Sequence, residues 1–81
     1  MKDSTEVALQ RYNFNSVFTY GPGIPVTPRV NIVVNGVRHP MGVAILPAPT
    51  FNGLNLYNYL NRDFAGEYNP ATQTMTIQGF Y

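Results

Sequence analysis

Three sets of side chains in this 81-residue chain have types that could do chemistry. His39 is the one imidazole, a potential general base or metal ligand. Zinc sites ordinarily take three or four protein ligands, and no second His or any Cys exists to complete one. A structural or surface histidine is the simpler reading. Asp63 and Glu67 stand four apart and could form the paired carboxylates of glycosidic chemistry. They straddle Gly66 and follow Arg62, where a solvated helix end explains them as well. Arg11, Arg29, Arg38 and Arg62, together with eleven aromatics, could stack bases and track a single strand of nucleic acid. Four arginines scattered among four acids make a weak groove, so nucleic acid is not the expected partner. Gly21-Pro22-Gly23 lacks the spacing and the Lys of a phosphate loop. No cofactor, metal or small-molecule substrate is called for.

The remaining composition favours contact over catalysis. The chain has two Ser, one Lys and four carboxylates, against nine Asn, seven Gly and seven Pro. Charged residues make up 11%, below the roughly 25% of an average soluble protein, while 44% of residues are hydrophobic. That is too apolar for a disordered tail. It is also charge-poor and aromatic-rich, as interface cores are. A small domain without disulfides or metal has few staples, so part of its aromatic surface is expected to bury against another chain. A net charge of +1 does not advertise acidic lipid or nucleic acid. No apolar run approaches the roughly 18 residues of a membrane span. Met1 to Tyr12 carries charges where a signal peptide needs its apolar stretch, and both virion and cytoplasm fit.

The elements that must position these groups are mostly β. Thr5 to Phe14 alternates loosely and reads as a strand or extended arm, and Ser16 to Tyr20 is a better strand. Gly21-Pro22-Gly23-Ile24-Pro25 with Pro28 reads as a stiff extended connector. Val30 to Val34, Asn35-Gly36 and Val37 to His39 form a hairpin closed by a type I′ turn. Met41 to Leu46 can continue as a strand, and Pro47-Ala48-Pro49 is a second stiff connector. Leu54 to Ala65 changes period, with Leu56, Leu60 and Phe64 on one helical face, Asn52 or Asn55 as cap and Gly66 as stop. Glu67-Tyr68, the turn Asn69-Pro70-Ala71-Thr72 and Gln73 to Gln78 predict a second hairpin. The expectation is a mostly-β, small α+β fold. Two hairpins flank one short helix, behind an N-terminal strand or arm. Residues 1–81 form one domain, with 1–28 as the arm and 29–81 as the compact unit.

From Val30 onward the turn spacing faintly resembles small domains at the N-terminus of copper amine oxidases and in bacterial cell-surface proteins. The resemblance lies in Asn35-Gly36, Asn52-Gly53, Gly66 and Thr72 to Ile77. The Arg and Val-Pro of those domains are absent where Leu54-Asn55-Leu56 stands, and the chain is not assigned to them.

The functional expectation is a non-catalytic structural or assembly protein, a small component of a viral or phage particle, packing through aromatic- and Asn-rich β surfaces. The second reading is a small inhibitor or adaptor acting on a host protein. Tyr57, Asn58, Tyr59, Asn61 and Arg62, with Phe80 and Tyr81 at the C-terminus, are the expected partner-binding residues.

Overall fold

A computed structural model describes residues 9–81 of the chain. Seven strands and one short α-helix follow in the order β1 (Gln10–Asn13), α1 (Phe14–Val17), β2 (Phe18–Gly21), β3 (Ile24–Pro28), β4 (Asn31–Val34), β5 (Val37–His39), β6 (Asp63–Asn69) and β7 (Thr74–Phe80). Five strands make a sheet of order β1-β6-β7-β4-β5, and β2-β3 is a separate two-stranded sheet. Among the described residues only the β4–β7 pair is parallel. The result is the small β-rich α+β fold expected from the sequence.

Local chemistry explains the turns. Asn35 and Gly36 adopt φ of 50° and 83°, as a two-residue primed turn demands, and Val34 pairs with Val37 across it. The β6–β7 hairpin also forms as expected, with Asn69 opposite Thr74. The Asn69 side chain accepts from the Ala71 backbone N–H at 3.0 Å, an Asx turn that starts the loop. Along β7, Met75 and Ile77 are buried while Thr74 and Thr76 are partly exposed, the alternation of a half-buried strand.

Several expectations are corrected. The helix anticipated over Leu54 to Ala65 is a single 3-10 turn, Leu56–Tyr59. Asn55 caps it, its side chain accepting from the Tyr57 N–H. Asn61 then enters the left-handed region at φ 61°, which ends any helix, and Asp63 opens β6. Leu56, Leu60 and Phe64 do not share a helical face. Phe64 reaches the core from a strand that pairs on both sides, with β1 and with β7. Gly66 is therefore no helix stop. It sits mid-strand, where an added Cβ would lie 2.9 Å from Met75 Sδ and 3.1 Å from the Thr76 carbonyl oxygen.

The stretch Ser16 to Tyr20 divides: α1 takes Phe14–Val17, capped by Asn13, and β2 begins only at Phe18. The Pro-rich run after Tyr20 is a hairpin rather than a connector. Pro22 followed by Gly23 at φ 70° is the residue order of a type II turn, and Pro25 and Pro28 lie in β3. Met41 to Leu46 forms no strand, although it lies along β3 through two backbone hydrogen bonds, Gly42 N–H to Pro28 O and Ile45 N–H to Val26 O. Of Thr5 to Phe14, Gln10–Asn13 is strand, and residues 5–8 lie outside the described residues.

One core joins these parts. Ile32, Val34, Phe64, Met75 and Ile77 cover one face of the large sheet. Phe14, Val17, Phe18 and Val26 pack against them from the N-terminal segment, and Ile45, Phe51 and Leu56 from the long connection. Phe14 and Phe18 stack with centroids 4.3 Å apart. Among the described residues no helix is long and apolar enough to cross a membrane.

Candidate functional site

The residues that could do chemistry are spread over the molecule and engaged locally. His39 ends β5, and its Nε2 lies 2.7 Å from the Val43 carbonyl oxygen, so the ring ties the long connection to the sheet. Asp63 and Glu67 both lie on β6, and four residues of strand separate them by roughly 13 Å, beyond the carboxylate spacing of glycosidases. Among the described residues no group of three His, Cys, Asp or Glu could hold a metal ion. A cleft of about 440 Å³ beside the Asn35–Gly36 turn is lined by Val33, Leu54, Thr76 and Gln78–Phe80, with no ionisable side chain.

Three of the seven anticipated partner-binding residues, Tyr59, Arg62 and Phe80, meet. Tyr59 ends the 3-10 turn and stacks on Phe80, with centroids 4.2 Å apart and planes 13° apart. Phe80 stands edge-on to buried Phe64 at 6.0 Å, and Phe64 in turn stacks on Tyr12 at 5.7 Å. This column of four rings is buried at Phe64 and partly exposed at both ends, Tyr12 and Tyr59. The Arg62 guanidinium lies 5.7 Å from the Tyr59 ring, and the Arg11 guanidinium lies 4.1 Å over the Tyr81 ring. Tyr81 stays in place at the end of the chain because its N–H donates to the Asp63 carbonyl at 2.9 Å, continuing the β6–β7 ladder.

Asp63 organises the polar contacts on the other face of the sheet, the face that strand alternation gives to Arg11, Asn13 and Tyr81. Asn13 Nδ2 donates to one carboxylate oxygen at 2.9 Å and Arg11 Nε to the other at 2.7 Å. The Asn13 hydrogen bond first, then the Arg11 hydrogen bond and charge, hold the carboxyl below its usual range, with desolvation opposing them. Asn61 is exposed and accepts from Asn15 Nδ2 at 3.0 Å, linking the segment before β6 to α1. Asn58 and Arg62 are exposed on the same segment.

Tyr57 stands apart from this group. Its hydroxyl donates to the Ile45 carbonyl at 2.7 Å and accepts from the Val26 N–H at 2.9 Å. It pins the long connection to β3 from a half-buried position. Arg11 and Asp63 were not among the expected contact residues. They are 52 positions apart, and only the pairing of β1 with β6 brings them together. No family model matches the chain, and no curated protein or solved structure matches it significantly.

Proposed function

We propose that the protein is a non-catalytic structural protein that packs against copies of itself in a larger assembly, such as a viral or phage particle. The observations that support this reading are Tyr59, with Arg62 beside it, stacked on a ring column anchored in the core, and Tyr81 held under Arg11 on the opposite face of the same strand ends. Tyr and Arg dominate the energetics of protein contacts. Side chains already held by stacking lose little freedom when a partner covers them. The low charge and single Lys of the chain fit the same role.

The test is mass in solution over a hundredfold concentration range, on the full chain and on a Tyr81→Ala/Arg62→Ala variant. Phe80 is left intact because it packs on Phe64. Concentration-dependent assembly that weakens tenfold or more in the variant, about 1.4 kcal/mol, supports the reading. A monodisperse monomer, the same with and without the substitutions, favours the adaptor instead.

A further inference from the structure

Two of the nine asparagines precede a glycine, Asn35-Gly36 and Asn52-Gly53, and the fold brings these two pairs together. Both build the same kind of turn. Asn35 and Gly36 have φ of 50° and 83°, and Asn52 and Gly53 have φ of 51° and 91°. Val34 pairs with Val37 across the first turn, and Phe51 with Leu54 across the second. The side chains then cross from one turn to the other. Asn35 Nδ2 donates to the Phe51 carbonyl at 2.9 Å and to the Asn52 carbonyl at 3.2 Å. Among the described residues Asn52 Nδ2 donates once, to the Asn35 carbonyl at 2.9 Å. Both asparagines and both glycines are exposed to water.

An asparagine before a glycine is a place where a chain can attack itself. The glycine backbone nitrogen gives up its proton and bonds to the asparagine Cγ, the Cγ–Nδ2 bond breaks, and the amide leaves as ammonia. Water then opens the cyclic imide to aspartate or isoaspartate, with no oxidant or reductant involved. Glycine has no Cβ to obstruct the approach. The crossed hydrogen bonds oppose it, because each fixes an amide on a carbonyl of the other turn, and swinging Cγ onto the glycine nitrogen breaks it.

We infer that Asn52 and Asn35 are deamidation sites coupled through this clasp: Asn52, held by one hydrogen bond, reacts first, and its carboxylate product releases Asn35. A carboxylate at position 52 has only acceptors to offer the Asn35 carbonyl. Acceptor then faces acceptor, the two turns separate, and the two bonds that shielded Asn35 go with them. Reaction at Asn35 in turn sets a negative charge against the Phe51 and Asn52 carbonyls. Where the imide opens to isoaspartate, the main chain gains an atom inside a two-residue turn, which the pairing of Val34 with Val37 does not accommodate. The clasp is thus a slow, one-way chemical switch on the tie between the β4–β5 hairpin and the long connection. It operates whether or not the chain assembles with its own copies.

Peptide mapping by mass spectrometry, which resolves asparagine, aspartate and isoaspartate at each position, tests this on the full chain held in mildly alkaline buffer. In the folded wild type we expect Asn52 to react before Asn35. Asn35 should react about tenfold or more slowly than in the same chain unfolded in urea, the scale of two hydrogen bonds. Asn52→Asp, which copies the first product, should speed Asn35 severalfold while the chain still melts cooperatively. Asn52→Gly keeps the left-handed backbone and removes only the amide, so it should speed Asn35 less. If Asn52→Asp does not fold, the wild type is followed through its own loss of Asn52, and reaction at Asn35 must lag and then accelerate. An Asn35 that reacts before Asn52, or whose rate the loss of the Asn52 amide leaves unchanged, overturns the inference.

Discussion

The asparagines show how far a residue type can mislead when read alone. Nine of them suggest an adaptable contact surface, yet eight have side chains bonded within the chain. Asn13 and Asn55 cap helical turns, and Asn31 bridges Met41 N–H and Thr72 O. Asn35 and Asn52 lock two Asn-Gly turns together, each amide donating to backbone carbonyls of the other turn. Tyr57 is a similar case. Tyr57→Phe should lower stability by about 1–3 kcal/mol in urea unfolding, because it strands the part-buried Val26 N–H and Ile45 carbonyl. An unchanged midpoint would mean that the hydroxyl is no pin. Asp63 has a pH signature. Its folded carboxyl titrates below the unfolded one, so its contribution is complete above the usual carboxylate range and is lost as pH falls through the lowered value. Asp63→Asn should therefore flatten the acid limb of a melting-temperature profile and leave its shape near neutral pH unchanged.

At the scale of elements, β6 decides the architecture, because it alone connects the N-terminal strand to β7. The apolar spacing of Leu56, Leu60 and Phe64 fits a helix, but Asn58 and Asn61 are weak helix formers. A strand starting at Asp63 gains two neighbours, and long-range pairing overrides the local period. The position most exposed to this geometry is Gly66, which is buried with Met75, Phe64 and the Thr76 backbone closing over its missing side chain. Gly66→Ala should destabilise by about 1–3 kcal/mol through overpacking, read from denaturant unfolding. The same change at Gly79, which faces open space, should cost much less. Equal losses at both sites would refute the packing argument.

At the scale of the molecule, the described residues extend 48 × 24 × 22 Å, and the proposed self-contact lies where Tyr59 and Arg62 stand on the ring column and Arg11 covers Tyr81. The sequence by itself determined the β-rich class, the Asn35–Gly36 and Asn69–Thr72 turns and the strand alternation of Thr74 to Ile77. These follow from φ preference and side-chain period, which neighbouring residues set. The folded structure alone decided that Pro25 and Pro28 belong to a strand, that Phe64 enters the core from β6 and that Arg11 meets Asp63 and Tyr81. Each depends on a partner far along the chain, and local preference carries no information about that partner.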